Sequence, residues 1–200
     1  MANTQAMCTS FMQELMTATH NFTTGTGNTF KAALYYTSAT INASTTAYSS
    51  TGEVTGTNYT AGGVAVTNGT SPSSTNTSAT AGVAYWTPSA SFSWSALTVT
   101  TAFDAVLVYN STQSNKAVSV HTFGSQTVTA GNFSLTMPTN DATNALIALH
   151  KWLKAVGTQG HGMQPYGIAF LSLEILQRVA LAILARATLL PLREIRLKDK

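Results

Sequence analysis

Ala102-Phe-Asp-Ala-Val-Leu-Val-Tyr109 is the most continuously apolar of the strand-like runs in this chain. Eight residues, with turn formers following, suit a strand that is central in its sheet and buried on both faces. Upstream, Ser91-Phe-Ser-Trp-Ser95 alternates aromatic with serine, while Leu97 and Val99 alternate in the opposite parity. A bulge or break near Ser95–Ala96 is therefore expected, because one extra residue flips every later side chain to the other face. Downstream, residues 110–115 read as a turn. Ala117-Val-Ser-Val-His-Thr-Phe123 and Gly131-Asn-Phe-Ser-Leu-Thr-Met137 then continue an antiparallel series.

Towards the N-terminus, Phe30–Tyr36 reads as a first strand. Asn58–Thr67 reads as another, bent at Gly62-Gly63, and Asn68-Gly69 is a hairpin signal. Thr70–Thr80 has the composition of a surface loop, and Gly82–Trp86 that of a short strand. Seven or eight short strands at near-regular spacing predict a mainly β protein, an antiparallel β-sandwich or jelly-roll-like domain rather than a βαβ fold.

Composition supports this. Thr falls 12, 12, 8 and 2 times in successive fifties, so the β-branched bias covers the first three quarters. The 200 residues suit one domain, or a domain with an arm. Charged residues are 8% and hydrophobic ones 44%, which argues against disorder and against a free cytosolic enzyme behind a charged surface. The lone Cys8 excludes an intramolecular disulfide and any multi-cysteine metal site. Met-Ala-Asn-Thr-Gln lacks the basic and apolar regions of a secretory signal. The Asn-x-Ser/Thr triplets at Asn21, Asn42, Asn58, Asn68, Asn76, Asn110 and Asn132 are accordingly read as turn chemistry.

Charge divides the chain. Residues 1–149 hold two bases against four acids, net −2; residues 150–200 hold eight against three, net +5. Gly157, Gly160 and Gly162 supply breakers near the boundary. Three parts follow: 1–28, an N-terminal helix and linker; 29–149, the β-domain; 150–200, a linker, an apolar helix and a basic C-terminal arm. Met7, Phe11, Met12, Leu15 and Met16 set the first helix, with Asn3 or Thr4 as its cap, and the methionines would suit an adaptable contact surface. Across 141–156, Ala142, Ala145, Leu146, Leu149, Trp152, Leu153 and Val156 lie at helical spacing.

Ile168–Leu190 approaches the ~20 residues of a membrane span, but Glu174, Arg178 and Arg186 interrupt it at about 2.5–3.5 kcal/mol each on insertion. An interaction helix, with Glu174 and Arg178 paired at i,i+4, is the better reading, and no membrane span is expected. Such a helix is apolar nearly all round and needs a surface to pack on. Its candidate assembly residues are Ile168, Phe170, Leu171, Leu173, Ile175, Leu176, Val179, Leu181, Ile183, Leu184, Leu189 and Leu190, followed by Arg193 and Arg196 in the tail.

Chemistry-bearing motifs are sparse. His20, His121, His150 and His161 lack metal-ligand spacing, no G-x-S-x-G elbow occurs, and Gly25-Thr-Gly27 is half a phosphate-loop pattern without a βαβ unit. Asp104 sits alone within the central strand, to be met by backbone donors or an edge; a second carboxylate beside it in a cleft would point to a glycan hydrolase. Cys8 reads as a small buried hydrophobe. Arg193, Arg196, Lys198 and Lys200 are mixed with Glu194 and Asp199, so no specific nucleic-acid site is expected. No enzyme and no cofactor are expected.

Tyr36-Thr-Ser-Ala-Thr-Ile-Asn-Ala-Ser-Thr-Thr-Ala-Tyr48, Gly52-Glu-Val-Thr-Gly56 and Tyr59-Thr-Ala-Gly-Gly63 resemble the opening of small structural proteins of tailed bacteriophages. Phe103-Asp-Ala-Val-Leu-Val-Tyr-Asn-Ser-Thr112, Asn115-Lys-Ala-Val118 and Ala130-Gly-Asn-Phe-Ser-Leu-Thr-Met-Pro138 resemble the remainder, in the same order. The resemblance covers roughly Phe30 to Leu149 and implies a β-sandwich virion component without catalysis. It would also make Ala142–Leu149 the last strand, and both readings of that segment stay open. The leading expectation is a capsid decoration, or cement, protein on the capsid surface, made in the bacterial host cytoplasm. Its partners would be the major capsid protein and further copies of itself, a trimer being one arrangement. The alternative is a tail or tail-fibre component that binds a host receptor through exposed aromatics such as Tyr59, Tyr85 or Trp86.

Overall fold

The computed structural model describes residues 2–75 and 82–150. The chain divides into two units, Met1–Trp152 and Leu153–Lys200, and all described residues belong to the first. The predicted apolar helix and basic arm lie outside the described residues. Among the described residues the protein is mainly β, with strands β1 Ala6–Met7, β2 Phe30–Tyr36, β3 Val64–Ala65, β4 Ser73–Ser74, β5 Val83–Trp86, β6 Phe92–Asn110, β7 Lys116–Leu135 and β8 Ile147–His150, and helix α1 Thr9–Met16. They form a five-stranded sheet, β1-β7-β6-β2-β3, and a three-stranded sheet, β4-β5-β8, every pair being antiparallel.

The apolar run 102–109 lies in β6, the middle strand of the large sheet, and every residue from Ala105 to Asn110 is buried. Its turn is built by Asn110, whose Oδ1 accepts the N–H groups of Thr112 and Gln113, with Ser114 and Asn115 at φ 51° and 58°. Short polar side chains tolerate that left-handed backbone and cap it locally.

The several short strands expected around this turn are instead two long ones, β6 of 19 residues and β7 of 20. Thr100-Thr101 and Thr127-Val-Thr129 bring β-branched residues where a break would need breakers, so the chain bulges without leaving the sheet. The register shifts at Trp94/Leu97, Leu97/Val99, Val99/Phe103 and Phe103/Ala105 cancel. Phe92 opposite Leu135 is back in the register of Ala105 opposite Thr122. The bulge expected at Ser95–Ala96 is present: Ala96 has φ 49°, and its N–H and carbonyl are held by the side chains of Asn132 and Asn58. Burial switches parity across it, from Phe92 and Trp94 to Leu97 and Val99.

Four local expectations need correction. Asn58–Thr67 is mostly turn, with Asn58, Gly62 and Gly63 at positive φ, and only Val64–Ala65 pairs, back onto β2. Asn68-Gly69 makes no hairpin; Asn68 donates to the Phe22 carbonyl and accepts from Trp86 Nε1, while Gly69 N–H bonds Ser89 Oγ. The presumed loop after Thr70 contains β4, paired with β5. At the N-terminus, Met7 is in a strand, Cys8 precedes α1 without a side-chain cap, and Asn3 reaches across to Tyr36 O, Ile41 N and Asp104 Oδ1. Each time, a long-range partner outcompetes the local motif.

Over its described part, 141–150, the conflicted segment is a turn and a strand; Trp152, Leu153 and Val156 lie outside the described residues. Asp141 Oδ1 accepts the N–H groups of Thr143 and Asn144, then Ile147–His150 pairs with β5. Phe22, from the loop after α1, stacks on Phe30 of the large sheet at 4.4 Å and meets Trp86 of the small sheet at 4.8 Å.

Two substitutions test this reading of strain. Ala96→Gly is expected to raise unfolding free energy by about 0.5–1 kcal/mol, because glycine accepts the left-handed backbone. Gly63→Ala is expected to lower it by about 3 kcal/mol or more, since its Cβ would sit 1.9 Å from the Ala32 carbonyl oxygen at φ +73°. Urea denaturation of both variants measures the effects.

Candidate functional site

The predicted assembly residues, from Ile168 to Arg196, lie outside the described residues. Of the three aromatics assigned to a loop-lined receptor site, two turn inward. Trp86 is buried, with its Nε1 donating to Asn68 Oδ1 and Thr70 O. Tyr59 is partly buried and packs against the core, its hydroxyl donating to Glu53 and accepting from Leu34 N–H. Alternation places a strand aromatic on a face; it does not say whether that face is covered.

Glu53 is the centre that sequence reading did not single out. It is buried, and its carboxylate accepts from Tyr48 OH at 2.5 Å, Tyr59 OH at 2.8 Å and Gly62 N–H at 2.7 Å. Tyr109 OH donates to the Gly62 carbonyl, tying the same loop to β6. Burial first, then the Glu53 charge, pushes these phenols up: Tyr109 to about 12, Tyr48 and Tyr59 beyond the usual tyrosine range. All three phenols thus remain protonated donors at neutral pH. Gly52-Glu-Val-Thr-Gly56 between two tyrosines was the available signal, legible only once the loop is seen to fold over β2.

A second polar chain runs beneath α1. Glu14 accepts from Lys116 Nζ and from His20 Nε2 at 2.8 Å. Burial pushes the Glu14 carboxyl up, but hydrogen bonds from Lys116 and His20, with the Lys116 charge, outweigh it and hold the group below its ordinary range. Asn110 uses its Oδ1 on two backbone N–H groups, so its Nδ2 must face His20 Nδ1 at 3.0 Å. That orientation makes Nδ1 the acceptor and Nε2–H the donor to Glu14. Cys8 is fully buried; burial, then the Glu14 charge, pushes its thiol up to about 12, far from a thiolate nucleophile.

Ser119 and His121 stand two apart on β7 and share a face, Oγ to Nε2 at 2.9 Å. The spacing suits a nucleophile and its base. Ser119, however, is only 3% exposed, so its hydroxyl has no open approach for a substrate. Burial pulls the His121 imidazole down to about 4. Asp104 Oδ1 accepts from Asn3 Nδ2 at 2.6 Å.

A groove of about 470 Å³ runs between two walls. One wall is Phe11 and Leu15 of α1 with His20 and Phe22; the other is Tyr85, Trp86, Ile147 and Leu149 of β5 and β8. Among the described residues, no Asp, Glu, Lys or Arg lines it, and His20 has both ring nitrogens engaged, so these residues offer shape and apolar surface. Among the described residues, no three metal-ligating side chains converge, and no helix is long and apolar enough to cross a membrane.

The class that the described residues define is a mainly β, antiparallel domain with an apolar groove. No family model, no curated protein and no solved structure matches the chain.

Two measurements probe the buried polar groups. His121 titrates near 4 when folded, against about 6.5 unfolded, so between those values the unfolded chain binds more protons. Stability should therefore fall as pH drops from about 6.5 towards 4, by up to about 3 kcal/mol from this group alone. His121→Gln should flatten the loss between about pH 6.5 and 5, and an unchanged slope in chemical denaturation would contradict the burial reading. Tyr59→Phe strips a donor from Glu53 and an acceptor from Leu34 N–H and should cost about 1–3 kcal/mol in the same assay.

Proposed function

We propose that this chain is a bacteriophage virion structural protein, acting as a capsid decoration protein that stabilises the shell through subunit–subunit contacts. One observation carries the reading: a low-charge, antiparallel β-domain with a closed core is joined to a terminal segment too apolar to stay in water and too charged to span a membrane easily. A chain so divided suits assembly. The ordered motifs between Phe30 and Leu149 that resemble tailed-phage structural proteins support the same reading.

In this proposal the two sheets form the layers of a β-sandwich seated on the capsid surface. The segment 165–200 is the arm, reaching the major capsid protein or a further copy of this chain, with a trimer at local threefold positions as the symmetric arrangement. Apolar surface buried at about 25 cal/mol per Å² and repeated linkage between capsomers would strengthen the shell. Arg193 and Arg196 would favour an acidic partner surface.

Quantitative composition of purified particles, with heads and tails separated, tests the assignment. Abundant copies in the head fraction are expected. A few copies confined to tails would favour the fibre or receptor reading, and absence from both would overturn the virion assignment. Deleting residues 165–200 is expected to leave the far-ultraviolet circular dichroism of a β-domain and abolish retention on particles; normal retention would remove the arm from the mechanism.

A further inference from the structure

We infer that Asn68 is a self-modifying site, whose side-chain amide is lost in the folded chain through a cyclic imide with Gly69, leaving aspartate or isoaspartate. Asn68-Gly69 is the one Asn-Gly pair in the sequence, and it lies outside every strand, where no ladder holds the backbone. Asn68 is half-buried and Gly69 exposed, so hydroxide and water reach the pair. A glycine after asparagine leaves the attacking backbone nitrogen without a side chain to block it.

Both residues are set by their contacts. Asn68 Nδ2 donates to the Phe22 carbonyl at 2.8 Å, and Oδ1 accepts from Trp86 Nε1 at 3.1 Å. The carbonyl can only accept and the indole can only donate, so the amide has one orientation. Position 68 therefore needs a side chain carrying both a donor and an acceptor. A Cβ on Gly69 would sit 2.3 Å from Ser89 Oγ, which accepts the Gly69 N–H at 3.0 Å. The fold thus asks for an amide and then a glycine, and the labile pair follows.

The Trp86 contact also favours the reaction. Gly69 N, once deprotonated by hydroxide, bonds Asn68 Cγ, and negative charge develops on Oδ1, where Trp86 Nε1–H already donates. The Cγ–Nδ2 bond then breaks, and ammonia leaves with a proton taken from water. Water opens the imide at either carbonyl, so the net change is water taken up and ammonia released. The aspartate formed has no donor for Phe22, and a carboxylate oxygen faces the Phe22 carbonyl, acceptor against acceptor. Phe22 stacks on Phe30 at 4.4 Å and meets Trp86 at 4.8 Å, so the loop released is the one whose ring lies between the two sheets. The inference is independent of the virion reading, since the reaction needs only water.

Holding the full-length chain in buffers of rising alkalinity tests it, with circular dichroism to follow the fold, then peptide mapping by mass spectrometry and isoaspartate detection. Asn68 is expected to convert ahead of every other asparagine, at a rate that rises with hydroxide. Asn68→Asp, the direct product, is expected to melt about 3–8 °C below the wild-type chain. The converted fraction, separated by anion exchange, should share that shift. An Asn68 amide that persists in the folded chain, converting only in urea, overturns the inference, as does an Asn68→Asp chain that melts with the wild type.

Discussion

Strand β6 carries hydrogen bonds on both edges, to β2 through Phe30–Tyr36 and to β7 through Lys116–Leu135, and residues 105–110 are buried on both faces as well. Such a strand can hold almost nothing polar. Asn110 is its polar exception at the buried end, and each of its amide atoms is spent on the turn, on Asn28 or on His20. The N-terminal segment, the β6–β7 turn and the α1 network are therefore placed by one amide whose orientation two backbone N–H groups decide.

A chain with 8% charged residues must satisfy its buried polar groups by other means. Here the work falls to Asn and Tyr. Asn3 binds two strands and a loop, Asn68 joins the Phe22 loop to Trp86, and Tyr48 and Tyr59 converge on Glu53. The Asn3 and Asn68 bonds span long stretches of sequence and tie loops to the sheets, whereas the Tyr48 and Tyr59 bonds to Glu53 close one local loop. Ion pairing among the described residues gathers at Glu14, beneath α1.

That economy of charge also shapes the surface. The groove is lined by Phe22 and Trp86, rings that meet between the sheets and belong to the core. A surface of that kind binds by shape and apolar area, which agrees with a protein whose proposed role is assembly. The Ser119–His121 pair shows the converse. Its 2.9 Å hydrogen bond has suitable chemistry, but the serine is buried.

Composition and periodicity sufficed for the mainly β class, for β2, β5 and the central strand, for the Asn110–Asn115 turn, and for the bulge at Ala96. Those are local consequences of alternation, apolar run length and turn chemistry. They did not reveal that β6 and β7 each run on for about twenty residues, because Thr-rich stretches at 100–101 and 127–129 suit a continuous bulged strand as well as two short ones. Nor did they place the Asn3 side chain, the Asn68-Gly69 turn or the Glu53 cluster. Asn3 and Asn68 depend on partners distant in sequence, Asp104 and Trp86, while Glu53 meets Tyr48, Tyr59 and Gly62 only because their shared loop folds back on itself. The apolar spacing of α1 was legible, but the groove that Phe11 and Leu15 line was not, since its other lining comes from β5 and β8, more than sixty residues away. Sequence alone thus determined which residues are fit for strand, turn or contact, through propensity and period. Tertiary structure decided which of them meet, because burial rewards a partner by proximity in space, however far apart the two lie along the chain.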